Sequence, residues 1–575
     1  MTRCLVHEPF HLADSAIIDQ MVAGFGWAWD AASNAQPDAW NHGRDVCLFL
    51  VGEEFGVAGD PNDNVSRTQR LLQLYERVGP RFVNELNGAF SGVLVDLRAR
   101  KTLLFNDRYG LGRIYYSRSG DKFLFSSEAK SLLAVLPSLR RIDERGLAEL
   151  FSVGCVLQNR SLFSDVSLLP AGSLWTFHLD GRVDKQRYFN PEIWEQQEPL
   201  DVATYSGRLT EVFARIAPRY FRAQERVAMS LTGGLDSRMI LAWARPEPAG
   251  LPCYTFAGPY RNCLDVRIAK RLATACRQLH TTIPVQSDFY EEFPALAEKT
   301  VYISDGAMDV SGAVELYVNR RARHIAPVRI TGNYGSEILR SNIAFGPRQL
   351  EGSLFLPEFR ALLQEATETY RSEAAGKRLS FIAFKQVPWH HYSRQSIEKS
   401  QLLPRSPFLD NELVELAFRA PAELLTSPEP MLRSIADGSP ALDAFATDRA
   451  LRRAPAPVAT RLGRIWREFT AKAEYVYDYG MPRWLARVDR LLESLHPERL
   501  FLGHHKFYHF RIWYRAQLGG YLRSCAATGI ASPCYRPDAV HSMVNEHLDG
   551  RANHTLALHR MLTVQLIERL LLRSS

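Results

Sequence analysis

The stretch MSLTGGLDSRMIL, residues 229 to 241, constrains the fold of this chain more than any other stretch. A short apolar run from Val227 to Leu231 meets a hydroxyl, two glycines, an aspartate and a second hydroxyl, and an apolar stretch with helical potential follows at once. This order is typical of a buried strand that turns tightly into a helix. Because parallel strands need such crossover connections, the stretch predicts a parallel sheet.

The segments around this turn repeat the alternation of strand and helix. The runs LPCYTFAG (251–258) and PVRITG (327–332) have strand character, and DVRIAKRLATAC (265–276) has helical character. Apolar residues at 209, 212, 213, 216 and 220 have the spacing of a helix with one buried face. We therefore predict an α/β region whose parallel sheet is covered by helices. From about residue 350 onward the chain is predicted to be mostly helical.

The first part of the chain, residues 1–190, has a different pattern of apolar and turn residues. Short alternating runs separated by turn residues are typical of β-strands, and two helix-like stretches lie among them. This pattern predicts an α+β layered domain. The polar, Pro- and Glu-rich segment 191–205 is the predicted linker to a second domain at 206–575.

Length and composition limit the class of protein. A chain of 575 residues exceeds what one hydrophobic core usually organises. No apolar run approaches the length of a membrane span, and His7, Glu8 and Asp14 stand where a secretion signal needs an apolar core. The eight cysteines are scattered without CxxC spacing. We expect a cytoplasmic protein with reduced thiols and no membrane partner.

The charge balance points to small anionic ligands rather than to nucleic acid. The net charge is +7, a mild bias for a chain of this length, and no block of Lys and Arg stands out. A nucleotide or phosphate fits this bias, and no nucleic-acid partner is expected.

The glycine turn has the features of an anion site. In an open parallel sheet, ligands bind beyond the carboxyl ends of the strands, where the next helix presents unpaired N–H groups. Glycines allow close approach to phosphate oxygens, and Thr232 and Ser237 add hydroxyls. Asp236 would repel a phosphate unless a divalent cation bridges them, and Mg²⁺ takes one or two carboxylates together with phosphate oxygens. The alternative is a plain turn in which Asp236 caps the helix.

TGGLDS (232–237) closely resembles the SGGxDS pyrophosphate loop of PP-loop ATP pyrophosphatases. LNGAFSGVLVDLRARKTLLFNDRYGLGRIYYS (86–117), FLFSSEAKSLL (123–133) and RSPFLDNELVELA (405–417) narrow the resemblance to the asparagine synthetase family, in order and spacing over nearly the whole chain. The resemblance implies an N-terminal Ntn-type αββα glutaminase-like domain. It also implies a C-terminal PP-loop synthetase domain with a parallel sheet and a helical extension.

The resemblance implies a chemistry and a set of site residues. Such a synthetase binds ATP and Mg²⁺, transfers AMP to a carboxylate, releases pyrophosphate and lets an amine attack the acyl-adenylate. The implied metal ligands are Asp236 and Asp265; for Asp265 a solvated helix N-cap is the alternative. The implied nucleotide-binding residues are Leu231, Thr232, Gly233, Gly234, Leu235, Asp236, Ser237, Phe256 and Gly332.

The first domain departs from the family pattern at several glutaminase positions. The family's glutaminase needs a cysteine directly after the initiator Met, whereas here the start is Met-Thr-Arg-Cys, and Leu5 replaces the glycine that follows the nucleophile. The glutamine-holding NGE segment is Val51-Gly52-Glu53, and the family's Asp is Asn87. We therefore expect an inactive glutaminase-like domain that supplies no ammonia.

Loss of the ammonia supply predicts another source of amine. β-Lactam synthetases and lasso-peptide cyclases, relatives with inactive glutaminase domains, use an amine of the same molecule. The expected function is therefore an ATP-dependent ligase that forms a lactam or peptide macrolactam without glutamine hydrolysis. The expected substrate is a small-molecule or peptide carboxylate.

The second domain also departs from the family. The SGEGxDE segment is TGNYGSE (331–337), so its first acid is Asn333, its Asp is Ser336 and only Glu337 remains. Tyr334 and Glu337 are candidate catalytic residues, since a Tyr–Glu pair can accept a proton from an amine; a packed tyrosine is the alternative. The family's KxxLR lysine is absent, which leaves Arg433 as the third candidate.

Two other functions stay open at the level of sequence. One is a glutamine-dependent asparagine synthetase that trims its N-terminus to Cys4. The other is a catalytically weak, nucleotide-binding scaffold of a biosynthetic complex, with a partner protein. A homodimer is compatible with either.

Overall fold

The computed structural model of the protein describes residues 4–6, 28–29, 37–57, 65–120, 122–348, 350–453, 458–527 and 534–573. Its strands, in chain order, are β1 Cys4–Val6, β2 Ala28–Trp29, β3 Ala39–Trp40, β4 Val46–Glu54, β5 Gly88–Asp96, β6 Lys101–Asn106, β7 Tyr115–Ser119, β8 Lys122–Ser126, β9 Ser167–Leu168, β10 Ser173–His178, β11 Val183–Arg187, β12 Val227–Ser230, β13 Cys253–Ala257, β14 His280–Pro284, β15 Val328–Ile330 and β16 Leu403–Arg405.

The first part of the chain forms two antiparallel sheets, with strand orders β2-β1-β8-β7-β9 and β11-β10-β6-β5-β4-β3. Successive side chains of a strand point to opposite faces, and this alternation builds the layers. On β6, Leu103 and Phe105 pack with the helix Arg67–Val78, whereas Leu104 packs with Phe125 of the other sheet. The helix Ala129–Val135 covers the remaining face of that other sheet. The predicted αββα layering is confirmed.

The second part forms a five-stranded sheet of order β14-β13-β12-β15-β16, and every neighbouring pair in it is parallel. The predicted parallel sheet is therefore confirmed. Its edge strands β14 and β16 were not predicted, because HTTIP and LPR lack the apolar run that marks a buried strand. β16 also interrupts the region after residue 350 that was predicted to be mostly helical.

The predicted linker is part of the packed structure. A short helix, Glu192–Glu195, places the indole of Trp194 against Phe189, Phe384 and Phe418. The next helix, Val202–Phe221, begins inside the segment 191–205. Apolar burial therefore ties this segment to both halves of the chain.

The α-helices are Arg67–Val78, Ala129–Val135, Glu144–Val153, Glu192–Glu195, Val202–Phe221, Leu235–Ala244, Leu264–Ala275, Asp288–Ile303, Ala313–Ala322, Gly335–Arg340, Pro357–Ala374, Arg378–Phe381, Tyr392–Lys399, Asn411–Ala417, Glu429–Gly438, Pro440–Asp443, Val458–Tyr475, Arg483–Leu491, Phe510–Arg515, Gly519–Ala527, Pro537–Leu548 and Thr555–Ile567. π-Helices span Ile382–His391, Val476–Gly480 and Glu568–Leu572. Within the described ranges, no helix combines the length and the apolar character that a membrane crossing requires.

Candidate active site

The turn after the central strand β12 is held by its own hydroxyls. The N–H of Thr232 donates to Oγ of Ser237 at 3.1 Å, and the two side-chain oxygens of these residues also lie 3.1 Å apart. The helix Leu235–Ala244 starts directly behind the turn, and the first N–H groups of a helix have no partner within it. These N–H groups give the turn the donors of an anion site.

Glycines let a second loop, 331–337, lie directly on this turn. A Cβ atom on Gly332 would stand 2.7 Å from the backbone N of Ser237, and one on Gly335 would stand 2.7 Å from Cγ of Asp236. A Cβ on Gly233 would stand 3.0 Å from Oδ1 of Asp265. Side chains at 332 and 335 would push the two segments apart, so this close contact requires glycine at both positions.

Asp236 is neutralised only in part by its neighbours. The hydroxyl of Ser336 donates to both carboxylate oxygens, at 2.9 and 3.0 Å. Loss of hydration in the cleft nevertheless raises the pKa of Asp236 to about 6, although Ser336 and the charge of Arg340 act in the other direction. The carboxylate therefore has affinity left for a further positive charge.

Two more carboxylates border the turn. Oδ1 of Asp265 accepts a hydrogen bond from the N–H of Gly233 at 2.8 Å, and the N–H of Asp448 donates to the carbonyl of Gly233 at 3.2 Å. Loss of hydration and the charge of Asp448 raise the pKa of Asp265 to about 6. In the described part of the chain, no three His, Cys, Asp or Glu side chains are grouped to hold a metal ion by themselves. A Mg²⁺ ion here would need phosphate oxygens to complete its coordination.

Glu337 lies beside the turn in a small group with a histidine and a tyrosine. Its Oε1 is 3.6 Å from Nε2 of His391, and the ring of Tyr334 meets the His391 ring edge-on, with centroids 5.3 Å apart. Loss of hydration and the charge of Asp236 raise the pKa of Glu337 to about 7. Loss of hydration lowers the pKa of His391 to about 4, so this imidazole is neutral at pH 7. Glu337 is thus the group that titrates near neutral pH.

The remaining predicted residues have different positions. Leu231 and Leu235 are buried beneath the turn, which makes them part of its support. The ring of Phe256 packs against Tyr254 and Phe507, with centroids 5.7 Å away in each case. Phe256 therefore belongs to an aromatic wall at the end of β13.

Arg433 is the predicted catalytic residue that the structure does not bring to the turn. Its side chain is 43% exposed, and Asp437 is 4.0 Å from its guanidinium. The next residue, Ser434, contacts Trp243 near the carboxyl end of the helix Leu235–Ala244. The turn lies at the other end, about 13 Å along the axis. Arg340, whose charge acts on Asp236, is the cation nearer to the site.

Comparison with known sequences gives two family matches in chain order. Residues 53–189 match a glutamine amidotransferase domain, and residues 208–401 match asparagine synthase. The two matches together cover more than half of the chain. The chain is a divergent member of the asparagine synthetase family.

Individual relatives are similar at modest identity. Glutamine-hydrolyzing asparagine synthetase 3 of Bacillus subtilis is 29% identical over 214 residues, which cover 36% of this chain and 34% of the relative. A putative glutamine-hydrolyzing asparagine synthetase 2 of Methanocaldococcus jannaschii is 26% identical over 47% of this chain and 53% of its own length. The enzyme named glutamine-hydrolyzing asparagine synthetase in Gallus gallus is 22% identical over 74% of this chain and 81% of its own. The chain thus spans about a third to about half of the first two relatives.

The glutamine-holding positions of the family's first domain face the second domain here. Nε and Nη2 of Arg405 donate to the two carboxylate oxygens of Glu53, at 2.8 and 2.6 Å. The side-chain amide of Asn87 donates to Asp410 at 2.9 Å and accepts from the N–H of Asn411 at 2.9 Å. Contacts across the domain boundary therefore occupy both polar side chains.

Cys4, the residue at which a glutaminase nucleophile was considered, has only its backbone described. That backbone lies in β1 opposite Ser126 of β8. The side chain of Cys4 and the residues before it lie outside the described residues.

Several residues of the site were missed by sequence reasoning. Arg340 follows Glu337 by three positions on one short helix. A helix predicted for this segment would place the two side chains on the same face and so bring Arg340 to the site. Asp448 and His391 come from segments more than fifty residues farther along the chain. No local pattern in the sequence indicates that these two fold onto the turn.

Proposed function

We propose that this protein is an ATP-dependent ligase that adenylates a carboxylate, releases pyrophosphate and joins the acyl group to an amine. The observation that carries the proposal is the glycine-lined turn 231–237, with its helix N-terminus and the incompletely neutralised carboxylates of Asp236 and Asp265. Such a turn would offer donors for phosphate and carboxylates for Mg²⁺, which adenylation requires.

The residues present fit these two ligands. The N–H groups at the start of the helix Leu235–Ala244 would bind phosphate oxygens, and Asp236 with Asp265 would hold a Mg²⁺ ion, which would neutralise charge on the leaving pyrophosphate. Ser336 keeps the Asp236 carboxylate oriented by donating to both of its oxygens. Arg340 adds positive charge on the same side.

Glu337 is the base we assign to the second half-reaction. An attacking amine must lose a proton, and a carboxylate with a pKa of about 7 accepts a proton efficiently at neutral pH. Tyr334 is buried against His391, and loss of hydration raises its pKa, so its hydroxyl stays protonated. We therefore assign Tyr334 a positioning role within this group rather than that of the proton acceptor.

We further propose that the amine does not come from glutamine and belongs to the same molecule as the carboxylate, so that the product is a lactam or a macrolactam. Glu53 and Asn87 support glutamine independence, because their side chains are already hydrogen-bonded to Arg405 and Asp410. Binding glutamine through these side chains would first require breaking these contacts, and separating the ion pair of Glu53 and Arg405 is costly.

The direct test is to incubate the protein with ATP, Mg²⁺ and amine-bearing carboxylates and to measure pyrophosphate. Formation of AMP and pyrophosphate with a cyclised product, unchanged by added glutamine, is the expected result. ADP and phosphate as products would refute adenylation. Glutamate release from glutamine would refute the glutamine-independent part alone.

The second candidate is a glutamine-dependent asparagine synthetase, which the names of the relatives favour. It requires a mature chain that begins at Cys4. Mass spectrometry of the purified protein decides between the two, because an intact Met-Thr-Arg start leaves no free α-amino group on the cysteine.

A further inference from the structure

The segment 483–500 presents several large apolar side chains to solvent. It begins with the helix Arg483–Leu491 and continues through two 3₁₀ turns. Four of its apolar side chains are about two-thirds exposed or more, at 67, 81, 74 and 67% in chain order: Trp484, Leu491, Leu495 and Leu500. Single exposed apolar residues are ordinary on a protein surface, but such a concentration is typical of a binding surface.

The helix Arg483–Leu491 packs on the protein through a small and a charged side chain. Ala486 is fully buried, and Asp489 accepts a hydrogen bond from a buried arginine at 2.8 Å. Trp484 and Leu491 are two helical turns apart, so they share the opposite face. A surface helix that served the fold alone would bury its apolar face, because apolar burial is what stabilises it.

The charges around this face leave an excess of positive charge. Asp489 is paired with Arg511 and Glu493 with Arg515, at 2.8 and 3.0 Å, and the side chain of Glu498 is only 14% exposed. Three exposed arginines of the segment have no acidic partner among the described residues: Arg487, Arg490 and Arg499. Unpaired guanidinium groups beside apolar side chains favour a partner that is anionic at its surface and apolar beneath it.

The shape of this surface favours a lipid bilayer over a folded partner. Leu491 and Leu495 are so exposed that they project from the protein and do not line a groove. Folded partners are usually held by pockets that enclose an anchoring side chain. The headgroup region of a bilayer accepts projecting apolar side chains, and tryptophan is enriched there. A second copy of this chain would bring the same unpaired arginines to the contact, where they would repel each other.

We propose that the segment 483–500 binds the protein to an anionic phospholipid surface. Its projecting apolar side chains enter the headgroup region, and its three unpaired arginines bind lipid phosphates. A contact of this kind needs no helix that crosses the bilayer. It corrects the expectation from the sequence that the protein has no membrane partner, which rested on the lengths of apolar runs. The inference does not depend on the proposed function.

Co-sedimentation of the whole protein with extruded vesicles tests this contact. The probes are vesicles of phosphatidylcholine alone and of an equal mixture of phosphatidylcholine and phosphatidylglycerol. The wild type should bind the mixed vesicles at least about tenfold more tightly, because one arginine near an anionic surface contributes about fivefold in affinity. Added salt should reduce this preference, since it screens the charges.

A first pair of variants tests the apolar contribution. The double variant Leu491→Ser, Leu495→Ser should bind both kinds of vesicle about tenfold more weakly or less, because it loses two side chains that enter the bilayer. The control is Leu279→Ser, a leucine outside the segment that is 62% exposed. It should bind as the wild type does, and both variants should keep the thermal unfolding midpoint of the wild type.

A second pair of variants tests the charge contribution. The double variant Arg487→Glu, Arg490→Glu should lose the preference for the mixed vesicles. The control is Arg371→Glu, an exposed arginine at the end of the helix Pro357–Ala374. It should retain the preference.

Three results would overturn the proposal. The first is a wild-type protein that binds neither kind of vesicle, and the second is equal binding by the wild type and the double serine variant. The third comes from sedimentation velocity without lipid: self-association that the double serine variant abolishes would assign the surface to a second copy of this chain.

Discussion

The two domains differ in whether the carboxylates of their pockets are paired with a cation of the protein. In the first domain, the carboxylate of Glu53 receives two short hydrogen bonds from Arg405. In the second domain, Asp236 receives hydrogen bonds from the hydroxyl and the backbone of Ser336, and loss of hydration raises its pKa to about 6. A paired charge stabilises the protein, whereas an unpaired charge in a cleft retains binding energy for a ligand.

This difference supports the proposal that the second domain holds the active site and that the first domain does not bind glutamine. In the glutaminase-like domain, Glu53 and Asn87 make hydrogen bonds across the domain boundary. The turn 231–237 is followed by the first N–H groups of the helix Leu235–Ala244, and loss of hydration raises the pKa of the carboxyl groups of Asp236, Asp265 and Glu337. Four substitutions test this contrast.

Asp236→Asn should have the largest effect. Loss of the carboxylate removes the proposed Mg²⁺ ligand, and we expect pyrophosphate release to fall about a thousandfold. Steady-state pyrophosphate measurement checks this. Asp437→Asn, an exposed aspartate, is the control and should leave the rate unchanged. A rate within tenfold of the wild type would remove Asp236 from the site.

Glu337→Gln should slow amide formation about a hundredfold, because a glutamine cannot accept the proton of the amine. In the wild type, the rate of this step should rise as the pH increases through about 7 and then level off, since the carboxylate with its raised pKa acts as a base only when deprotonated. The variant should lose this rise. Single-turnover rates between pH 5.5 and 8.5 measure both effects, and a variant with an unchanged pH profile would exclude Glu337 as the base.

Glu53→Gln tests whether the ion pair of the first domain stabilises the protein. Removing one partner of a buried ion pair leaves the Arg405 guanidinium uncompensated, which costs about 3 kcal/mol of stability. We expect a lower midpoint of thermal unfolding, while Glu85→Gln, an exposed glutamate of the same domain, should unfold as the wild type does. An unchanged midpoint for Glu53→Gln would mean that Glu53 is free in solution to bind glutamine.

Ser336→Ala should have the smallest effect. Loss of its hydroxyl removes the hydrogen bonds that favour the charged form of Asp236, so the pKa of Asp236 should rise further above about 6. The affinity for Mg²⁺·ATP should then fall a few-fold at pH 6.5, and the deficit should shrink at pH 8, where Asp236 is ionised in both proteins. Calorimetric titration at the two pH values measures this. A deficit of equal size at both pH values would contradict the assigned cause.

The sequence by itself determined the layered first domain, the parallel sheet of the second and the turn between β12 and its helix. These features depend on local spacing, since the alternation of apolar residues and the run of glycines act over a few neighbours. The turn residues from Thr232 to Ser237 were identified on the same basis. Their role as ligands of phosphate and Mg²⁺ stays a prediction until it is measured.

Only the tertiary structure decided which distant side chains meet at that turn. His391 and Asp448 come from segments whose local patterns indicate no site, and Arg433, which a local pattern favoured, lies on the surface beside Asp437. Likewise, the pairing of Glu53 with Arg405 joins residues 352 positions apart. Contacts of this kind depend on how helices and sheets pack, and one chain carries no local signal of that packing because many pairings share the same apolar pattern.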